Sequence, residues 1–261
     1  MVRAMWKASV RIGERTLPVK LFAAVSDRDV HFRLLHRKDR VPVRQRMIEP
    51  DTGREVAREE VLLGVEVEKG VFVVLRRDEV ASVRPAPSRT IAVTRFVPRE
   101  AIDPARYERP YFLGPDGSEA AYFALAAALA ESGRCGIASW TMRGTSYFGS
   151  LEPRGPHLAL VALHAADEIA QASDLVHPGG PATSSAERKL AEQLVATLDQ
   201  RFEPELLRDE YRARVGAFVA AKAEGKSFEI EEARAPRASA DLRDALRRSL
   251  AAAKERRGAA A

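Results

Sequence analysis

The N-terminal part of the chain alternates between apolar and polar positions. Apolar side chains occupy every second position from Trp6 to Ile12, and the intervening positions are polar or basic. This period of two predicts a strand with one face in a core and the other facing solvent or a ligand. A second extended run, Thr16 to Phe22, contains Pro18, which restricts it to a sheet edge or a strand end. A third alternating run, Val30 to Leu35, predicts a strand that leads into a basic cluster.

Further short extended segments follow. Val61 to Val67 and Val71 to Leu75 flank the Lys69-Gly70 turn, and the second of these has the length and composition of a buried strand. Thr90 to Val97 alternates again. The prolines between Asp103 and Pro115 predict an irregular, packed connection. Many short strands at this spacing predict a barrel or a sandwich.

Helical periodicity first occurs from Ser118 to Ser132, where Gly133 provides a C-terminal stop. Three more strands are predicted after it, at 137–143, 147–151 and 158–163. The segment that carries Arg143 and Arg154 is predicted to form a long excursion rather than a compact hairpin. A strand-rich body followed by helices makes the predicted fold class α+β.

The composition between His177 and Ser185 changes to Pro, Gly, Ser and Thr, which indicates a linker. Ser184 and Glu187 then form a capping-box pair that opens a helix, and Pro204 is predicted to begin a second helix that ends at Gly225. Two amphipathic helices at this place either cap their own core or form an arm that reaches another subunit.

The last segment divides into a charged stretch, 229–239, predicted to be flexible, and a short amphipathic helix. Leucines recur at every fourth position of this helix beside arginines, a stripe too narrow to fold alone. Such a helix docks on its own body, binds a partner or contacts DNA as a basic tail. The residues that would carry such a contact are Leu242, Leu246, Arg247 and Leu250.

Positive charge is concentrated at the two ends of the chain. The formal net charge is +5, but residues 1–50 hold twelve Lys and Arg against five acids, and residues 236–261 hold seven against three. The remainder is therefore acidic. This distribution is typical of a nucleic-acid-binding surface, although a solvated face has the same composition.

Catalytic and metal-binding motifs were not found. The five histidines do not fall at metal-ligand spacings, and there is no phosphate-binding Gly-Lys-Ser/Thr loop, dinucleotide fingerprint or nucleophile elbow. The single cysteine, Cys135, fits a small buried hydrophobe in a reducing cytoplasm. No run has the length of a membrane span. The sequence thus predicts a binding protein that is not an enzyme, with no cofactor, no metal and no membrane association.

Eight segments resemble, in order, the bacterial Ku family of DNA-end-binding proteins in non-homologous end joining. They begin with MWKASVRIG, LPVKLFAA and VHFRLLHRKD. They continue with the segments 54–75, 101–115, 136–144 and 151–155, and end with 202–226. In many relatives the turn at Met47 to Gly53 contains a Cys-Pro pair, and this chain lacks the cysteine. The long lysine-rich extension of some members is also absent.

The resemblance implies a β-barrel core with an extended bridging excursion and a C-terminal helical arm, in a ring-shaped homodimer that threads onto duplex ends. It implies a core at 1–228, with the barrel at about 1–180 and a dimerisation arm at about 184–225, followed by the tail 229–261. The expected DNA contacts are Arg33, Arg37, Lys38, Arg40, Arg44, Arg46, Arg143 and Arg154. The expected partners are double-stranded DNA ends, a second copy of the chain and the multifunctional ATP-dependent DNA ligase of the pathway, which the C-terminal helix recruits. A cytoplasmic, nucleoid-associated location follows.

One alternative from another class is an RNA-binding barrel protein without end specificity, whose charge serves A-form RNA. The basic run from Arg37 to Arg46 has no interleaved aromatic residues, which argues against base stacking on single strands there. No helix resembles a major-groove reader. Sequence-independent duplex binding is consistent with both observations.

Overall fold

The structure is a computed structural model that describes residues 3–171, 184–199 and 201–225. These residues belong to two units, one with the strands and the first two helices and the other with the last two helices. The first unit contains β1 (Trp6–Ile12), β2 (Arg15–Ala23), β3 (Leu63–Glu68), β4 (Val71–Leu75), α1 (Arg77–Ser82), β5 (Thr90–Pro98), β6 (Tyr107–Pro115), α2 (Glu119–Ser132), β7 (Arg134–Met142), β8 (Thr145–Arg154) and β9 (His157–Leu163).

Seven strands close into a barrel in the order β1, β2, β6, β9, β8, β7, β5. All neighbours are antiparallel except β1 and β5, which pair in parallel with Ser9 opposite Thr90. Inward-facing side chains of the barrel form the core, in which Val10, Val19, Leu21 and Leu160 are fully buried. The alternation of apolar and polar residues along β1 and β2 therefore arises as predicted, because every second side chain points into the core of the barrel.

Helix α2 closes one end of the barrel, which we call the helix end. The hydroxyl of Tyr122 accepts a hydrogen bond of 2.8 Å from the Leu158 amide and donates one to the Leu113 carbonyl. Leu113 and Leu158 are opposite each other on β6 and β9, so this buried hydroxyl links two strands to the helix. Gly133 ends α2 in the left-handed conformation, with φ +63°, as the sequence predicts.

The opposite end of the barrel is where β2 ends and β5 begins. Residues 24–89 connect these two strands, and we call this segment the excursion and this end of the barrel the excursion end. The excursion contains α1 and the antiparallel hairpin of β3 and β4. The predicted strand from Val30 to Leu35 is wrong, because these residues make only an isolated bridge between Leu35 and Pro42.

Two other predictions about the strands are wrong. The segment before Pro115, predicted to be an irregular connection, is strand β6. Pro110 has no amide hydrogen to donate, and a register shift between Tyr107 and Pro110 accommodates it in the strand pairing. Strand β4 forms where predicted but is not buried, since Phe72 and Val74 are 57% and 58% exposed. An apolar run indicates a strand without showing what covers it.

The second unit contains helices α3 (Ser185–Leu198) and α4 (Glu210–Ala223). The capping box of Ser184 and Glu187 is present at the start of α3. Helix α4 begins later than predicted, because Pro204 opens only a short 3₁₀ turn and Asp209 caps the helix through a 2.9 Å bond from the Arg212 amide. Neither helix has a buried residue.

Candidate nucleic-acid interface

Strand direction determines which basic residues lie near one another. Trp6 at the start of β1 pairs with Leu21 near the end of β2, and Ser9 pairs with Thr90 at the start of β5. The end of β7 and the start of β8 lie at the same end, since Ala92 pairs with Ser139 and Met142 with Thr145. The excursion and the β7–β8 turn therefore begin from one end of the barrel.

A compact turn in the excursion presents three of the predicted cations. The His36 amide donates to the Val41 carbonyl at 2.8 Å, and the Arg40 amide donates to the His36 carbonyl at 2.9 Å, so that Arg37, Lys38 and Arg40 form the tip. His36 Nδ1 lies 2.6 Å from the Asp39 carboxylate. The three cations are exposed and have no acidic partner within ion-pair distance among the described residues.

A second turn, between Met47 and Val56, is closed by the isolated bridge of Ile48 and Glu55. Gly53 there has φ +67°, a conformation that favours glycine. Arg46 Nη1 lies 2.6 Å from Glu55 Oε2, so this predicted DNA contact already has an acidic partner. Arg33 and Arg44 are exposed and have none within the described parts of the chain.

Arg143 lies at the tip of a two-residue turn between β7 and β8, so the predicted second excursion is wrong. Arg143 and Gly144 have φ values of +54° and +78°, which match a hairpin turn with two left-handed residues. Arg-Gly lacks the usual Asn or Asp of such turns, and this is why the sequence did not reveal it. Strands β8 and β9 are likewise joined by the short Gly155-Pro156 turn.

Two basic residues at the excursion end were missed. Arg84 and Arg89 flank the loop at Pro85 and Pro87, and both are exposed. The Ser9 amide donates to the Arg89 carbonyl at 2.8 Å, which anchors this part of the excursion to β1. A Cβ added to Gly144 would lie 3.7 Å from Arg84 Cδ, so the Arg84 side chain lies against the β7–β8 turn. Only the closed barrel brings these residues to Arg143.

Arg154 lies at the other end of β8, about 30 Å along the strand from Arg143. Its Nη2 is 3.4 Å from Oε2 of the fully buried Glu152, and Arg99 Nε is 3.2 Å from the same oxygen. The second carboxylate oxygen, Oε1, accepts a 2.7 Å bond from the Ser150 hydroxyl. A buried carboxylate needs such partners, and Arg154 is therefore held by the barrel itself.

The Glu152 cluster affects its neighbours. Burial raises the pKa of the Tyr107 hydroxyl, and the adjacent Glu152 carboxylate raises it further. Burial also raises the pKa of the Cys135 thiol, with a smaller contribution from Glu152, so Cys135 is a protonated core residue as the sequence predicts. The Glu152 carboxylate therefore holds Arg99 and Arg154 against the barrel wall.

Three further predictions concern a metal site, a membrane-spanning helix and the ligase-docking residues. Among the described residues, no three His, Cys, Asp or Glu side chains come close enough to hold a metal ion. No helix in the described ranges has the length and apolarity required to cross a membrane. The predicted ligase-docking residues Leu242, Leu246, Arg247 and Leu250 lie outside the described residues.

Comparison of the sequence with known proteins supports the barrel fold. Residues 11–195 match the Ku family model, described as the Ku70/Ku80 beta-barrel domain. The chain is 38% identical over 259 residues to the non-homologous end joining protein Ku of Anaeromyxobacter sp. strain K, covering 98% of this chain and 88% of that protein. It is 36% identical over 266 residues to Ku 1 of Saccharopolyspora erythraea, covering 99% and 81%, and 30% identical over 240 residues to Ku of Bacillus subtilis, covering 90% and 76%.

A closed seven-stranded barrel is thus accompanied by 38% sequence identity to a Ku protein over 98% of the chain. The chain belongs to the Ku family.

Proposed function

We propose that the protein binds double-stranded DNA ends without sequence preference in non-homologous end joining and is not an enzyme. The observation that carries this proposal is the set of exposed cations on the excursion, Arg33, Arg37, Lys38, Arg40 and Arg44, which have no acidic partner among the described residues. Arginine and lysine side chains bind phosphates irrespective of base sequence. The names of the relatives, non-homologous end joining proteins, support the same function.

End specificity requires more than charge, and a ring-shaped homodimer supplies it. Support for dimerisation comes from the β3–β4 hairpin, in which Leu63 pairs with Leu75 and Val65 with Val73. Paired residues share one face of a sheet, so these four form a wholly apolar face. An isolated two-stranded hairpin with an exposed apolar face is marginally stable in water, and a second copy of the chain would cover it.

The proposed assembly retains the predicted organisation, with a core at 1–228, an arm at about 184–225 and a tail at 229–261. The tail would recruit the ATP-dependent DNA ligase through Leu242, Leu246, Arg247 and Leu250. Deleting 229–261 should then abolish stimulation of that ligase while leaving affinity for linear duplex within about twofold. Loss of duplex binding in the deletion would instead assign the tail to DNA.

The central test is a mobility-shift titration on linear duplex, with competition by the same duplex closed into a covalent circle. A ring that threads onto ends predicts that linear DNA competes at least tenfold better than the circle. Equal competition would contradict end binding and leave a general basic nucleic-acid binder. Equally strong competition by structured RNA would favour the RNA-binding alternative.

Dimerisation has its own test. Val73→Arg places a charge on the apolar face of the hairpin and should convert the protein to a monomer in light scattering, with loss of the linear-over-circle preference. Val83→Arg is the matched control, because Val83 is 82% exposed beyond the end of α1 and its substitution should leave the dimer intact. A dimer that survives Val73→Arg would exclude this hairpin as the interface.

A further inference from the structure

A cavity of about 370 Å³ opens at the excursion end of the barrel. Its walls come from three parts of the chain, namely the start of β1, the last residues of the excursion and the end of β7 with its turn. The lining residues include Trp6, Ser88, Arg89, Thr141 and Arg143. The volume lies within the range of sites that bind small molecules, which begins at about 300 Å³.

The walls of the cavity carry cationic, hydroxyl and aromatic side chains. Two guanidinium groups and two hydroxyl groups can bind phosphate oxygens, and the indole of Trp6 offers a planar apolar surface for a base. None of the residues that line the cavity is acidic. The cations therefore have no neutralising carboxylate in the wall, and a bound phosphate would supply the missing charge.

We propose that this cavity binds one unpaired nucleotide at a DNA end, with its phosphate between Arg89 and Arg143 and its base against Trp6. The inference rests on the proposed function and adds a substrate class to it, namely ends that carry a single-stranded overhang. The excursion turn at Arg37 to Arg40 has no aromatic residue, so it serves duplex phosphates, whereas the cavity combines cations with an aromatic wall.

Backbone conformation and hydrogen bonds fix the walls of the cavity. Arg143 has φ +54°, a conformation that is unfavourable for a residue with a Cβ, so the turn keeps a guanidinium where Asn or Gly would be less strained. The carbonyl of Arg89 is fixed by the Ser9 amide, and the Ser88 hydroxyl accepts a 3.1 Å bond from the Thr90 amide. Arg84 lies against Gly144 and adds a third positive charge.

The direct test uses tryptophan fluorescence of the full chain during titration with thymidine 5′-monophosphate. The protein has two tryptophans, and Trp140 is 3% exposed, so quenching by a soluble nucleotide reports on Trp6. We expect saturable quenching, with affinity at least tenfold higher than for inorganic phosphate or for thymidine, each of which satisfies only one part of the site. Equal affinity for inorganic phosphate would reduce the cavity to an anion site and overturn the proposal.

Substitutions of cavity residues test whether the nucleotide binds in this cavity. Arg143→Asn removes the charge but suits the left-handed turn, so the fold should be retained while nucleotide affinity falls about tenfold or more, as expected for a lost charge-assisted hydrogen bond. Arg89→Ala should have the same effect. Arg134→Ala is the matched control, since Arg134 is an exposed residue at the far end of β7 and should leave affinity unchanged. Wild-type affinity in both cavity variants would overturn the proposal.

Mobility shifts with two linear duplexes separate this inference from the function on which it rests. A duplex with a four-nucleotide thymidine overhang should bind several-fold tighter than a blunt duplex, and Trp6→Leu, which removes the aromatic wall of the cavity and keeps every cation, should remove that difference. A missing overhang preference in a protein that still prefers linear DNA would contradict the nucleotide site alone. Absence of both preferences would contradict end binding itself.

Discussion

Arg40 and Arg143 have the same unusual backbone conformation on two separate turns. Their φ values are +61° and +54°, and among the described residues they are the two non-glycine residues with positive φ. This conformation costs an L-residue about 1–2 kcal/mol. Arginine has no local reason to occupy it, since its side chain does not stabilise such turns as Asn or Asp does. Both residues belong to the predicted DNA-contact set, which suggests that the strain is retained for charge.

Replacement of Arg40 by Asn should relieve the backbone strain at this position and weaken DNA binding. Asn tolerates the left-handed region, so the free energy of unfolding should stay constant or rise by up to about 1 kcal/mol. Affinity for linear duplex should fall, and the negative slope of log affinity against log salt should become smaller in magnitude by about 0.9 for the lost phosphate contact. Arg46→Asn is the comparison, because Glu55 lies 2.6 Å from Arg46 and should make that slope change smaller. Identical slopes for wild type and Arg40→Asn would exclude a phosphate contact.

Substitutions in the Glu152 cluster should affect stability rather than DNA binding. Glu152→Ala leaves a cavity at a fully buried position and removes the acceptor of the buried Ser150 hydroxyl, and should cost about 2–3 kcal/mol in urea unfolding. Arg154→Ala should cost about 1 kcal/mol, because its side chain is 44% exposed and Arg99 remains beside the carboxylate. Duplex affinity of Arg154→Ala should stay within about twofold of wild type. A loss of affinity without a loss of stability would instead support the predicted DNA contact.

Gly149 is required for close packing inside the barrel wall. A Cβ at this position would lie 2.3 Å from the Val161 carbonyl oxygen and 2.7 Å from the indole ring of Trp140. The Trp140 ring also stacks on Tyr147 at 5.5 Å, so it has little freedom to move. Gly149→Ala should therefore lower the free energy of unfolding by about 2–3 kcal/mol.

Gly216→Ala is the matched control for Gly149→Ala. Gly216 lies in helix α4 with nothing within 4 Å of an added Cβ, so alanine there should stabilise the helix by about 0.5–1 kcal/mol. Thermal unfolding of the two variants checks both signs. Equal stability of Gly149→Ala and wild type would contradict the packing of this strand.

Asp116 should make stability depend on pH in the acidic range. Hydrogen bonds from Lys20, at 2.7 Å, and from Lys7, at 3.1 Å, lower the pKa of its carboxyl group in the folded state. The unfolded chain then binds more protons than the folded one between the two pKa values, so this contribution is complete above the unfolded value of about 4 and is lost as pH falls through the lower folded value. The difference in unfolding free energy between wild type and Asp116→Asn should shrink over that range. A pH-independent difference would exclude the linkage.

Local patterns in the sequence determined much of the fold. The alternation in β1 and β2 predicted strands because each has one face in the barrel, and Gly133 and the Ser184–Glu187 pair marked helix ends because their backbone geometry is set by neighbouring residues. The expected DNA contacts in the excursion came from the family resemblance, because the charge imbalance of residues 1–50 extends over the first two barrel strands as well as the excursion. The strand pattern was compatible with either a barrel or a sandwich, and the family resemblance predicted the barrel.

Tertiary structure decided which of these residues share a site. The parallel pairing of Ser9 with Thr90 joins segments about eighty residues apart, and no local pattern encodes such a contact. That closure brings Arg89 and Arg143 to one cavity with Trp6, while it places Arg154 beside Glu152 near the helix end. The exposure of the β3–β4 hairpin could not be predicted from the sequence either. An apolar run predicts a strand in the same way whether the residues that bury it belong to this chain or to another.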